Sequence, residues 1–425
     1  MKRKLNKKIW IGPVCLFLIM AVFAVIPFMA IAADTIKIGV LEPLSGAMES
    51  IGRSALAGLR FVVDEQNAKG GLLGKKIELI VEDDEFKPDV ATRKARSLIL
   101  KDGVDFIAAA AGSHISIALA KVAEAEKKLL FHYASTADVI MGKEFTRYAF
   151  RTAVNNYSYT SAMVRYLANK PYRRFYFISM DYVASRDITD DFRKQIKARI
   201  PDAKFVGDEY HPIGTKDFAP YITKIIAAGP DMVYLGTMGA DLINLVKQCR
   251  SLGLKSDFMT HLIYDPYMLM GLKDDAVGIY FANPYELRVK TPENEAMVAK
   301  YHEQHKKDKD FLTWWPCGLV GNIICGWKMN FAAVEKAGSL DAEKIISTYE
   351  GFSYQTPIGL YTMRKCDHQV IAPMFVGRIE GGWNPYFNGS INPEVKFPWA
   401  GSNIVMIPAE DVTIPATSDY NPRCP

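Results

Sequence analysis

Small polar residues follow apolar runs at regular intervals in the first 140 residues. VDFIAAAAG leads into Ser113 and His114, and LLFHY leads into Ala134, Ser135 and Thr136. An earlier run, TIKIGVLEPL, ends at Ser45-Gly46. If these runs are strands of an open parallel sheet, such residues sit beyond the strands' carboxyl ends, where ligands bind. Ser113 also opens a helical stretch, whose free N–H groups and dipole favour an anion. A carboxylate between Ser113 and Thr136 would gain hydroxyl and backbone donors from both. The alternative reading makes Ser113 only an N-cap and Ser135-Thr136 only a turn. Later runs end at Asp181-Tyr182, Thr237-Met238 and His261-Leu262, with Tyr264 and Asp265 just beyond. Tyr182 has an apolar ring and a hydroxyl, suited either to closing over a small ligand or to plain packing.

Catalytic chemistry is poorly supported by spacing. Gly52-Arg53-Ser54 and Gly112-Ser113-His114 are not Gly-x-Ser-x-Gly elbows. No phosphate-binding GxxxxGK[ST] or GxGxxG falls at a strand-to-helix turn. His302 and His305 are three apart on a charged helix, lack HExxH spacing, and are expected in solvent. Glu82-Asp83-Asp84-Glu85 lacks the calcium-loop pattern and reads as a strand end and loop. No cofactor or metal is expected.

The elements that must position these residues alternate. Strand runs IKIGVLEPL, KKIELIVEDDE, VDFIAAAAG and LLFHYAS are separated by helical runs starting near Ser50, Pro88 and Ser113. Apolar residues at Ala55, Leu59, Val62 and Val63 keep a helical period in the first of these. The alternation restarts after Arg151 with RRFYFISMD, KFVGDEY, DMVYLGTM and SDFMTHLI as strands. Strands alternating with such helices read as βαβ units around a parallel sheet. A third block is helix-rich, then β-like in GLYTMR and HQVIAPMFVGRIEGG, before Pro, Asn and Ser take over. The predicted fold class is therefore α/β, with two similar blocks in series.

The chain has 425 residues, 49% hydrophobic and 23% charged, within the globular range. Its formal net charge is +5, but residues 1–32 carry five basic residues and no acidic one, so the remainder is neutral. The charge therefore gives no case for nucleic-acid binding. MKRKLNKKIW, an apolar run from Ile9 to Ile31 and Ala30-Ile31-Ala32 read as a secretory signal peptide cut after about Ala32. The alternative is a retained anchor, against which Gly12, Pro13 and Pro27 interrupt the run. Five cysteines follow: Cys249, Cys317, Cys325, Cys366 and Cys424. Export permits disulfides, and an odd number leaves at least one thiol unpaired or intermolecular. Cys424 lies in a loose tail that a staple would order; Cys366 is the first candidate partner, with all thiols reduced as the alternative.

These residues together resemble the periplasmic solute-binding proteins of ABC importers of the branched-chain amino acid (Leu/Ile/Val) type. The likeness spans roughly Thr35 to Gly382 and is strongest through Ser45-Gly46, Gly52, Glu65-x-Asn67-x-x-Gly70-Gly71, Gly74, Asp83-Asp84 and Pro88. It implies two Rossmann-like lobes joined by a three-strand hinge, with a ligand cleft between them. Lobe 1 would comprise 34–153 plus about 285–360. Lobe 2 would comprise 154–284 plus about 361–400, and an irregular tail 401–425 would follow. The resemblance implies that Ser113, Ala134 and Thr136, with Ser135 between, hold an amino acid's carboxylate and ammonium from the first lobe. It implies that Tyr182 approaches from the second. Two positions depart from the pattern: an aromatic after the Ser-Gly loop is Ile51, and the acid that pairs an ammonium falls on Leu262, with Asp265 as the substitute. An amide or an aromatic or other organic acid then competes with an amino acid as the solute. Trp314 and Trp315 either line an enlarged pocket or pack in the core. The implied role is a periplasmic, monomeric, non-enzymatic receptor for a small solute that docks on membrane permease subunits. The alternatives are a sensor of the same fold feeding a signalling partner, and a secreted hydrolase.

Overall fold

The computed structural model describes residues 35–110, 112–261, 263, 266–308, 314–381, 399–400 and 403–425. The expected leader, 1–32, lies outside them, as do Leu262, Tyr264 and Asp265. No helix among the described residues is long and apolar enough to cross a membrane.

The first block alternates as its sequence predicts: β1 (Ile36–Glu42), α1 (Glu49–Ala68), β2 (Ile77–Asp83), α2 (Pro88–Ser97), β3 (Phe106–Ala109), α3 (Ser113–Glu126), β4 (Leu129–His132) and β5 (Ala149–Arg151). The five strands form a parallel sheet in the order β2-β1-β3-β4-β5. Its central strands, IKIGVLE, FIAA and LLFH, are apolar because helices cover both faces. Pro88 occupies the first turn of α2, where its missing N–H costs nothing. Gly52 lets α1 meet the loop after β1: a Cβ there would lie 2.2 Å from the Pro43 carbonyl oxygen.

The second block follows with α4 (Asn156–Leu167), β6 (Arg174–Met180), α5 (Val183–Arg199), β7 (Lys204–His211), α6 (Ala219–Ala228), β8 (Met232–Gly236), α7 (Gly239–Ser251), β9 (Asp257–Thr260), α8 (Pro266–Leu272) and β10 (Tyr280–Asn283). The Asn155 side chain caps α4 by accepting the Ser158 N–H at 3.0 Å. Strands β7, β6, β8, β9 and β10 are parallel neighbours in that order.

Helices α9 (Pro292–His305), α10 (Gly318–Ala337) and α11 (Ala342–Tyr349) rejoin the first sheet. Helix α10 buries Trp327 against Phe131 and Tyr133, with ring centroids 5.4 and 5.7 Å apart. Glu65 of α1 pairs with Lys300 at 2.9 Å and Lys328 at 2.5 Å. Burial opposes its ionisation, but the two lysines prevail and hold the carboxyl below its ordinary range.

Strands β11 (Ser353–Thr356), β12 (Gly359–Met363) and β13 (Val370–Ile371) form a separate antiparallel sheet. The Tyr361 hydroxyl donates to Asn322 of α10 at 3.3 Å. Residues 361–371, expected with the second lobe, therefore pack with the first sheet's helices. The chain rejoins the second sheet only at β14 (Met374–Glu380), antiparallel to β10.

The segment expected to be an irregular tail is also tied down. Beyond β15 (Trp399–Ala400), β16 (Val405–Ile407) pairs with β14, and α12 (Ala409–Val412) lies against α4. The Asn421 amide donates to Met141 O at 2.8 Å, and Cys424 is bridged to Cys366. Cys249, Cys317 and Cys325 are buried thiols.

His302 and His305, expected in solvent, are half-buried stacking partners. His302 lies on Trp315 at 3.9 Å, and His305 on Tyr301 at 4.0 Å. Both histidines face the helix side that packs, which their polar neighbours in sequence conceal.

Cys366 and Cys424 are 58 residues apart, so the bridge removes substantial chain entropy from the unfolded state. Reduction, or Cys424→Ser, should lower stability by about 2–4 kcal/mol. Thermal melts with and without reductant check this; an unchanged melting temperature in the serine variant would contradict it.

Candidate functional site

The carboxyl ends of the two parallel sheets meet at a common cavity. From the first sheet, Ser113 follows β3, and Ala134, Ser135 and Thr136 follow β4. From the second, Tyr182 follows β6, Met238 follows β8 and His261 follows β9. All seven line a cavity of about 80 Å³, together with Ile51 and Phe86. The structure thus brings five of the six sequence-predicted site residues together; Asp265, the sixth, lies outside the described residues.

Gly112, at φ +86°, turns the chain into α3 and leaves the Ser113 N–H at the helix start. That N–H donates to the Tyr182 hydroxyl at 2.8 Å, a direct bond between the two sheets' loops. Burial raises the Tyr182 pKa, partly offset by its bonds to Ser113, so the hydroxyl stays protonated. The Ser113 hydroxyl accepts the Ala137 N–H at 3.2 Å and is itself bonded to the Tyr182 hydroxyl. Thr136 anchors its loop through its carbonyl, which accepts the Asn156 N–H at 2.8 Å; its side chain is half-buried at the cavity.

Ser135 behaves differently. Its hydroxyl donates to Ala110 O at 2.8 Å and lies 2.5 Å from the Ser116 hydroxyl. It ties β3, β4 and α3 together below the cavity, so it shapes the wall and its hydroxyl is already engaged. Trp314 and Trp315 are not part of this lining; Trp314 donates to Asp308 O at 3.0 Å, and both contact His302.

Phe86 is the wall residue that sequence reasoning missed. Its ring meets His114 edge-on at 4.9 Å. Glu85 and Phe86 both have left-handed φ, 53° and 57°, which side chains rarely adopt. The preceding carboxylates hold them there: Asp83 accepts the Glu85 and Leu44 N–H groups, and Asp84 accepts the Phe86 N–H at 2.8 Å. The acidic run is thus a turn clamp, a role visible only once the turn's φ angles are known.

A second contact joins the halves beside the cavity. The Asp138 N–H donates to Asp187 of α5 at 2.8 Å, and the Asn156 amide reaches the same carboxylate at 3.2 Å. Burial, then the neighbouring Asp191 and Asp187 carboxylates, push the Asp138 carboxyl well above its usual range.

Electrostatically the cavity is neutral. Its described lining contains no Asp, Glu, Lys or Arg side chain. Burial pushes the His261 pKa down to about 3, so that ring is uncharged at neutral pH. A wider concavity, about 560 Å³, lies elsewhere, against Tyr172, Pro230, Asp231 and Lys255-Ser256-Asp257. Those residues sit at the amino ends of β6, β8 and β9, the wrong end of a parallel sheet for ligand binding. Its polar groups are also engaged: Asp231 caps the Arg173 and Arg174 N–H groups, and Tyr172 donates to Asp257.

Opposed strand ends around a small cavity match a known architecture. The family described as "Periplasmic binding protein" matches residues 35–383. The chain belongs to that family. A relative, "Leu/Ile/Val-binding protein homolog 4" of Brucella abortus, is 25% identical over 370 residues, covering 82% of this chain and 85% of its own. Among solved structures, the closed conformation of the leucine-, isoleucine-, valine-, threonine- and alanine-binding protein of Brucella ovis superposes with TM-score 0.77 at 22% identity. That match covers 90% of this chain and 97% of the other. The solute-binding protein of an ABC transporter from Rhodopseudomonas palustris BisB5, in complex with 3,4-dihydroxy benzoic acid, gives 0.75 at 21% identity, covering 88% and 97%. The fold of this periplasmic binding protein is accordingly the two-lobed α/β type, with parallel sheets flanked by helices.

Asp84 provides a test of the Phe86 clamp. It is fully buried, and burial, reinforced by Asp83, raises its pKa to about 6 against the Phe86 bond. Its charged form is therefore disfavoured in the fold, a cost fully present above pH 6 that falls away as pH drops from 6 toward the unfolded-chain value near 4. Asp84→Asn keeps the acceptor for Phe86 and removes the charge. The variant should be more stable than wild type by roughly 1–3 kcal/mol near pH 8 and equal to it near pH 4. Equal stabilities at both pH values would contradict the assignment.

Proposed function

We propose that this protein is the extracytoplasmic solute-binding receptor of an ABC importer. It holds a small carboxylate-bearing solute between its two lobes, in the class of branched-chain amino acids and related amides or aromatic acids. The observation that carries this reading is the cavity shared by Ser113, Ala134 and Thr136 from one sheet and Tyr182 from the other, bridged by the Ser113–Tyr182 bond. The relatives, a Leu/Ile/Val-binding protein homologue and a solute-binding protein in complex with 3,4-dihydroxy benzoic acid, support the same class. Both kinds of solute carry a carboxylate.

The bridge defines a mechanism. The Ser113 N–H stands at the start of a 14-residue helix, where an anion is favoured. A solute carboxylate takes the place of the Tyr182 hydroxyl as acceptor of that N–H. It receives further bonds from the Ser113 and Thr136 hydroxyls, and the Tyr182 O–H then donates to the carboxylate from the second lobe. Because the solute touches both lobes, it favours the closed arrangement over an open one. The closed form is what a membrane permease would recognise. We divide the lobes at the observed crossings: after β5, after β10 and before β14. A cleaved leader would deliver the mature chain to the periplasm.

A calorimetric screen of amino acids, amides and aromatic acids identifies the solute. Ser113→Ala and Thr136→Val should each weaken its binding about tenfold, the worth of a hydrogen bond to a charged group. Melting temperatures check that both variants fold. Unchanged affinity in both would contradict the carboxylate cradle.

A further inference from the structure

We propose that His261 is a specificity-determining residue. It presents a neutral N–H donor to the cavity and selects carboxylic acids whose second polar group is an oxygen acceptor, a hydroxyl, carbonyl or amide, over α-amino acids. This rests on the carboxylate reading above and adds the partner for the solute's other end.

The geometry begins with Tyr234 on β8. Its hydroxyl is fully buried, and among the described residues its partner is His261 Nδ1, at 2.8 Å. The two rings are near-parallel, 6.0 Å apart, and Tyr159 meets His261 edge-on at 5.2 Å. These contacts fix the imidazole plane. They also fix its tautomer. If Nδ1 carried the proton, the buried Tyr234 O–H would have no acceptor, which is costly for a desolvated donor. With Tyr234 donating to Nδ1, both groups are satisfied and the proton sits on Nε2. His261 is 5% exposed and lines the cavity, with Nδ1 committed to Tyr234, so Nε2–H is the donor left to the cavity side.

The other polar groups on the second-lobe wall are engaged. The Tyr182 hydroxyl takes the Ser113 N–H, and the Ser185 hydroxyl donates to Gly236 O at 3.3 Å. A solute ammonium, which has only donors, would face another donor there. An unpaired buried charge is costly. An oxygen acceptor at the same place completes the His261 bond.

Matched probes test this by titration calorimetry: L-leucine, the α-keto acid of leucine, benzoate and para-hydroxybenzoate, each against wild type, His261→Phe and His261→Gln. The keto acid or the hydroxybenzoate should bind wild type at least about tenfold more tightly than leucine or benzoate, respectively. His261→Phe should remove about tenfold of that affinity, and His261→Gln, which keeps an N–H, should restore most of it. Leucine binding as tightly as its keto acid, or His261→Phe leaving the best acid within twofold of wild type, would overturn the inference. So would a silent set of probes when the wider screen finds an amino acid. If Ser113→Ala and Thr136→Val weaken an acid that His261→Phe does not, the cradle stands and His261 alone fails.

Discussion

The hydrogen bond from the Ser113 amide to the Tyr182 hydroxyl is the hinge of this structure's logic. It spans two parallel sheets whose carboxyl ends face one another, and the cavity exists because that bond and the Asp138–Asp187 contact hold the ends together. The rest of each sheet serves to present those loops. Apolar central strands force helices onto both faces, the helices force right-handed crossovers, and the crossovers leave every connecting loop of one kind at the same end. A ligand site at opposed strand ends is the consequence.

The cavity's chemistry is set by burial more than by charge. Burial pushes the His261 pKa down to about 3, and burial with its acidic neighbours pushes the Asp138 carboxyl well above its usual range. In the proposed reading, recognition falls to hydroxyls, one helix start and one imidazole N–H.

Much of this was legible in the chain. Apolar runs ending in Ser113, Thr136 and Tyr182 gave the strand ends, because parallel strands buried on both faces read as unbroken apolar segments. Cys366 was recognisable as the partner of Cys424. Other features depended on tertiary contacts that no spacing encodes. Phe86 reaches the cavity through two left-handed residues clamped by Asp83 and Asp84, and an acidic run is silent about that. Ser135 turns below the cavity because Ser116 and the Ala110 carbonyl claim its hydroxyl. The strands from 359 to 371 stay with the first sheet because Tyr361 docks on Asn322, and the tail is ordered by pairing with β14. His261 stood at a strand end in the sequence, but its role needed Tyr234 beneath it.

The most direct measurement is a crystal structure of the protein with the acid that binds best in the calorimetric screen. Density is expected between the sheets, with a carboxylate oxygen within hydrogen-bonding distance of the Ser113 N–H and Thr136 hydroxyl, and Tyr182 closing from the other side. Density for the acid elsewhere, such as the concavity beside Tyr172 and Asp257, with the Ser113–Tyr182 bond unbroken, would contradict it.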